Sequence, residues 1–230
     1  MTGAFTVPMR GWKSNVELAD SFELFSALER LKLLENSPPL WWPSYGTFEV
    51  VVGAILTQNT QWSRVQISLD NLRNNGLLSP DALAHCDVEI LMELIRPSGL
   101  FKAKAKNLIR LSRVMMDDFG DFETFALSVD REWLLSQKGI GPESADSILC
   151  YACARPAMVV DSYTARLLNA FGYEFESYDE LQEWCEAGVR TSCDEVQLPA
   201  AFARFHGMIV EYVKRNSTGK SVVVSNLQFD

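Results

Sequence analysis

Asp161 is the residue most able to do chemistry. It follows the apolar run Met158-Val159-Val160 and precedes Ser162-Tyr163-Thr164-Ala165-Arg166, a helix-forming stretch. A carboxylate at such a boundary can cap the helix, which is its commoner use. It can also stabilise a developing positive charge, or orient and deprotonate a water. The second signal is Leu134-Leu135-Ser136-Gln137-Lys138-Gly139-Ile140-Gly141-Pro142-Glu143-Ser144-Ala145-Asp146-Ser147-Ile148-Leu149, which reads as helix, Gly-Ile-Gly turn, helix. Two glycines permit positive φ and a close backbone approach. Ile140 can plug the gap between the helices, and Pro142 suits a first helical turn. The N–H groups at the start of the second helix suit a phosphate oxygen. A plain tight turn between helices is the alternative, and Gly-x-Gly alone leaves it ahead. A third signal is aromatic. Trp41 and Trp42 sit side by side before Pro43, and Trp62 follows Thr57-Gln58-Asn59-Thr60-Gln61. Such rings can hold a flat cationic group, at about 1 kcal/mol each, or anchor a loop to the core.

The elements that must position these residues are helical. Apolar residues recur near a 3.6 period in Ser21 to Leu34, before Glu35-Asn36-Ser37-Pro38-Pro39 stops the run. Thr47 is placed to cap a helix through Leu56. Further helices are expected over Gln61 to Asn74, Asp87 to Ile95, Phe101 to Asp118, Asp130 to Gln137, Pro142 to Ala154, Ser162 to Phe171, Asp179 to Val189 and Leu198 to Arg215. The only strand-like run is Val222 to Val224. The expected fold class is all-α, with about ten short helices.

Composition sets the boundaries. The 230 residues carry 21 Lys plus Arg and 30 Asp plus Glu, for a net charge of −9; 47% are hydrophobic and 22% charged. This is globular composition and excludes a disordered, collagen-like or coiled-coil chain. The acidic balance by itself argues against a nucleic-acid partner. It is uneven, however. Arg96, Lys102, Lys104, Lys106, Arg110 and Arg113 form a run with no acidic residue among them, while the stretches Asp117 to Glu132 and Tyr173 to Glu195 are strongly acidic. A solvated helix face is the ordinary reading of the basic run. Residues 1–20 contain Arg10, Lys13, Glu17 and Asp20 and no long apolar run, so no signal peptide is expected. No apolar stretch approaches about 18 residues, so no membrane span is expected. The five cysteines, Cys86, Cys150, Cys153, Cys185 and Cys193, read as reduced thiols of a cytoplasmic protein. Cys150 and Cys153 have the spacing of a metal or redox pair but sit in an apolar helix, where buried thiols are the better reading.

The hairpin and Val159-Val160-Asp161 together resemble the helix-hairpin-helix, Gly/Pro-Asp (HhH-GPD) superfamily of DNA glycosylases, over residues 46 to 215. The helix Val50 to Leu56 with Thr57-Gln58-Asn59-Thr60 is similar to that family's first barrel helix. Trp41-Trp42-Pro43, Ile55 to Thr60, Gln137 to Tyr151 and Ala203-Arg204-Phe205-His206-Gly207 further resemble the 3-methyladenine DNA glycosylase III group, an endonuclease III-like branch.

The resemblance implies two helical domains with the active-site cleft between them. Residues 1–45 and 157–215 would form one, and 46–156 a six-helix barrel carrying the hairpin at 131–154, with 216–230 as a tail. It implies Asp161 as the catalytic carboxylate, and Trp41, Trp42, Pro43, Trp62 and Lys214 around the base. Gln58, Lys138, Gly139, Ile140, Gly141 and Ser144 would meet DNA. The implied reaction is hydrolytic removal of alkylated purines, chiefly 3-methyladenine, from double-stranded DNA by a cytoplasmic, nucleoid-associated monomer of bacterial type. His206 reads as a core residue.

Two departures bear on this. Family members with lyase activity carry a lysine where Glu143 stands, and a carboxylate cannot form an imine, so no lyase activity is expected. Many members hold an iron–sulfur cluster on four C-terminal cysteines. Only Cys185 and Cys193 follow Asp161, so no cluster and no other cofactor is expected, apart from a monovalent cation at the hairpin. An endonuclease III-like enzyme for oxidised pyrimidines and a non-catalytic DNA-binding module are the alternatives.

Overall fold

The structure is a computed structural model and describes residues 18–229. Arg10, Lys13 and Glu17, on which the reading of the first residues rested, lie outside the described residues. The chain forms two compact units. Among the described residues, one comprises 18–42 and 156–229; the other is Pro43–Arg155.

The first unit opens with α1 (Ser21–Arg30), capped by the Asp20 carboxylate, which accepts from the Phe22 and Glu23 N–H groups. The chain then builds the second unit. Its core helix is α2 (Phe48–Leu56), in which every residue but Glu49 is buried. A helix apolar on all sides must be enclosed. Around it come α3 (Trp62–Asn74), α4 (Pro80–His85), α5 (Val88–Leu94), a 3₁₀ turn (Arg96–Ser98) and α6 (Phe101–Phe119). Next are α7 (Phe122–Ser128), α8 (Arg131–Ser136) and α9 (Pro142–Ser147), the last widening into a π turn at Ile148–Ala152. The chain returns to the first unit with α10 (Ser162–Ala170), α11 (Tyr178–Ser192) and α12 (Leu198–Arg215), then a two-residue hairpin, β1 (Ser217–Thr218) and β2 (Ser221–Val222). Helix α12 supplies the middle of that unit's core, with Phe202, Phe205, Ile209 and Val213 fully buried.

The all-α class holds, with several local corrections. Helices α4 and α7 lie where the sequence pattern marked none; each is about two turns long and begins at a polar cap, Ser79 and Asp121. Thr47 stands at the start of α2 but does not cap it, because its hydroxyl donates back to the Ser44 carbonyl. The helix expected through Ala154 loses α geometry at Ile148, where the Cys153 N–H donates to the Ile148 carbonyl. Ala154 then turns left-handed at φ 53°, ahead of Pro156, which cannot continue a helix. The strand pairing falls at Ser217–Val222 rather than on Val222 to Val224 alone.

Candidate functional site

In the first unit the centre is Asp161. It is the N-cap of α10, and its Oδ1 accepts from the Tyr163 and Thr164 N–H groups, each at 2.9 Å, and from the Thr164 hydroxyl at 3.2 Å. Its Oδ2 lies 3.5 Å from His206 Nε2 on α12. One oxygen thus caps the helix, and the other lies beside His206. Burial pushes the Asp161 carboxyl up. The hydrogen bond and charge of His206, with the Thr164 N–H and hydroxyl, outweigh that and hold it below its usual value.

His206 is itself buried and meets the edge of Trp41, with ring centroids 5.1 Å apart. Trp41 adopts φ 70° and leans on Gly207, where a Cβ would come within 2.5 Å of its ring. Its indole N–H donates to Glu211 at 3.3 Å, and Lys214 lies 5.8 Å from its ring centroid. Lys214 pairs with Glu211 at 3.2 Å. Burial pushes the Glu211 carboxyl up, but the Trp41 N–H and the charges of Lys214 and Arg215 hold it low. Trp42 is 7% exposed, while Trp41 is partly exposed. Asp161, Trp41, Trp42 and Lys214 thus belong to one unit. Pro43, Gln58, Trp62 and the hairpin belong to the other. Trp62 begins α3 and is partly exposed.

In the second unit the hairpin is held from both sides. Arg131 on α8 grips Asp146 on α9 with two hydrogen bonds of 2.9 and 3.1 Å, and Asp146 is buried. Gly139 takes φ 88°, and a Cβ there would strike the Asn107 amide at 2.2 Å. Gln58 donates to the Gly139 carbonyl at 2.9 Å and to the Ser144 hydroxyl at 3.0 Å. Arg110 donates to the Lys138 carbonyl. Among the described residues the N–H groups of Gly139 and Gly141 have no partner, and both glycines are exposed.

Three expectations change here. Gly141 needs no special conformation: it lies at φ −101°, with nothing within 4 Å of where a Cβ would stand. Ile140 is buried, as a plug should be, but its N–H is already given to the Gln137 carbonyl. Ser144 is buried and its hydroxyl is taken by Gln58, so it faces inward. Lys138 is exposed.

The basic run is smaller than its count suggests. Arg96 pairs with Glu93, Arg113 donates to the Ala84 carbonyl, Arg110 braces the hairpin, and Lys104 is buried. Lys102 and Lys106 remain as exposed lysines. Leu100, which sequence reasoning passed over, is 66% exposed at φ 46°, directly after Gly99 at φ 62°. The Gly-Leu pair was the only signal for it.

Cys150 and Cys185 are fully buried, and burial pushes the Cys153 thiol up to about 12. Among the described residues no group of three or more His, Cys, Asp or Glu is arranged to hold a metal. No helix among them is long and apolar enough to cross a membrane.

Residues 52–190 match the HhH-GPD superfamily base excision DNA repair protein family. The chain belongs to that family. A Methanocaldococcus jannaschii protein provisionally named a DNA repair glycosylase is 36% identical over 203 residues, spanning 85% of this chain and 90% of its own. The crystal structure of H. pylori 3-methyladenine DNA glycosylase bound to 1,N6-ethenoadenine is 46% identical, with a TM-score of 0.83 over 86% of this chain and 99% of that one. A trapped endonuclease III–DNA covalent intermediate shares the fold at 17% identity, with a TM-score of 0.68 over 89% of this chain and 91% of the other. This HhH-GPD protein is accordingly a DNA glycosylase of base excision repair, and DNA is its partner.

Proposed function

We propose that this HhH-GPD glycosylase is monofunctional and hydrolytically removes alkylated purines, chiefly 3-methyladenine, leaving an abasic site. The observation that carries the reading is the arrangement at Asp161. A carboxylate whose ionised form is favoured, with three donors on one oxygen and His206 beside the other, is fixed in place as a negative charge. An N-alkylated purine already carries positive charge, so its glycosidic bond breaks without strong acid assistance. The enzyme's task is to hold the flipped base and stabilise the cationic sugar. Asp161 supplies negative charge to that sugar and orients the incoming water. Because it acts ionised, its lowered pKa suits the role.

Trp41 offers a ring on which a cationic purine can stack, at about 1 kcal/mol. The Glu211 carboxylate at its N–H adds negative charge on that side. The identity of 46% to a 3-methyladenine glycosylase supports the substrate class. Trp42 and Lys214, of the same unit as Trp41, complete its side of the base pocket in this reading. Glu143 at the position of the lyase lysine supports hydrolysis without strand cleavage.

The hairpin binds a phosphate through the N–H groups of Gly139 and Gly141, with Lys138 beside them, so few lysines are needed. A monovalent cation there would draw on the turn's carbonyls. Leu100, exposed on a strained backbone, is suited to wedge between bases once one has left the stack. The protein acts as a monomer in this reading.

The test is release of labelled 3-methyladenine from methylated DNA, with borohydride trapping on abasic DNA alongside. Release without trapping is expected. Efficient trapping would contradict the reading of Glu143, and release only of oxidised pyrimidines would favour an endonuclease III-like substrate range.

A further inference from the structure

The two turns that carry Gln58 and Leu100 are joined through one buried amine. Lys104, in the first turn of α6, is 2% exposed. Its Nζ donates to the Leu56 carbonyl, the Thr60 hydroxyl and the Ser98 carbonyl, each at 2.8 Å. All three N–H groups of the ammonium are therefore used. The acceptors come from the end of α2, the turn after it, and the 3₁₀ turn before Leu100. The Thr60 hydroxyl also donates to the Ser98 carbonyl. Among the described residues no carboxylate pairs with Lys104, and burial lowers its pKa to about 8. A charge enclosed by neutral oxygens weakens the fold relative to an apolar side chain of similar length. Its use must lie elsewhere.

One of the joined turns leads into Gln58, which holds the hairpin at Gly139 and Ser144. The other leads through Ser98 into Gly99 and Leu100, two consecutive residues at positive φ, the second of them left-handed. A leucine held in that conformation and exposed needs a fixed base beneath it.

We propose that Lys104 is a positioning residue that locks the 57–60 and 98–100 turns together, so that Gln58 and Leu100 meet a distorted duplex as one rigid pair. This rests on the reading of these turns as DNA-facing. Loose turns would lose conformational entropy on binding, whereas locked ones have lost it already. The gain falls on damaged DNA, because an apolar side chain enters the stack only where a base has left it.

The experiment uses the full chain and Lys104→Met. Two duplexes are compared by fluorescence anisotropy below the melting temperature: one with an abasic-site analogue, the other undamaged. The melting temperature is expected to stay within about 3 °C of the parent protein. Affinity for the abasic duplex is expected to fall about 10-fold, and that for the undamaged duplex to change less than about 2-fold, which collapses the preference. Thr60→Val removes one acceptor and keeps the charge. It should reduce the preference in the same direction, and the double variant should be no worse than Lys104→Met alone. An unchanged preference, or equal weakening on both duplexes, overturns the proposal. If Lys104→Met does not fold, the preference measured for Thr60→Val decides by the same criterion. If the parent chain shows no preference for the abasic duplex, the DNA-facing reading fails first and takes this proposal with it.

Discussion

His206 Nε2 stands 3.5 Å from Asp161 Oδ2, the carboxylate oxygen that the start of α10 leaves uncapped. The same imidazole touches the edge of Trp41. One buried side chain thus links the candidate reacting carboxylate to the candidate stacking ring.

Asp161→Asn is expected to lower base release by about 10²- to 10⁴-fold while DNA binding persists. Asparagine caps a helix nearly as well as aspartate, so the melting temperature should hold. Asp161→Ala should lose the same activity and about 1 kcal/mol of stability besides. Single-turnover release and thermal melting separate the two variants. Robust release by Asp161→Asn would remove this residue from the reaction.

The pH profile follows from the lowered Asp161 pKa. Its folded value lies below its unfolded one, so its contribution to stability is present above the unfolded value and is lost as pH falls through the folded value. Activity should stay flat through neutral pH and fall only in acid. In His206→Gln the acid limb should move to higher pH. A limb that stays in place would mean that His206 does not set the ionisation of Asp161.

Lys104 has the same sign in an alkaline window. Its folded pKa of about 8 lies below the ordinary 10.5, so between those values the unfolded chain binds more protons. Its contribution to stability therefore rises with pH across that window. Chemical denaturation at pH 7.5 and pH 10, in parent and Lys104→Met, should show this rise in the parent and its loss in the variant.

The hairpin glycines should separate folding from binding. Gly139→Ala forces a Cβ into Asn107 at φ 88° and is expected to cost about 1–3 kcal/mol. Gly141→Ala meets open space at an ordinary φ and should leave melting unchanged. A methyl beside its N–H should still weaken duplex binding, by about 10-fold. Undiminished binding by Gly141→Ala would show that no phosphate approaches there.

The helical class, the hairpin and Asp161 were legible because each rests on local pattern: apolar period, a glycine-flanked turn, a carboxylate before a helix. Helices α4 and α7 were not, since two turns show too little periodicity to stand out from polar loops. Lys104 was miscounted as part of a basic face. Its burial depends on oxygens contributed from Leu56, Thr60 and Ser98, distant in sequence, and no window on α6 contains them. The acidic balance misled for a related reason. Asp20, Asp87, Asp121, Asp130 and Asp161 sit at helix starts, so their number reflects the capping of N–H groups and not a surface built to repel a polyanion. Which tryptophan is buried was likewise beyond sequence, because Trp41 owes its seat to the missing side chain of Gly207.

The cap at Asp161 has a genetic consequence. A single-nucleotide change converts an aspartate codon to an asparagine codon, and the product would keep the start of α10 intact. Quality control acts on unfolded chains and would pass it. Such an allele would yield a full complement of sound protein that settles on lesions and leaves them in place, shielding them from other repair. Its phenotype would then be worse than that of a deletion, and dominant over the parent copy.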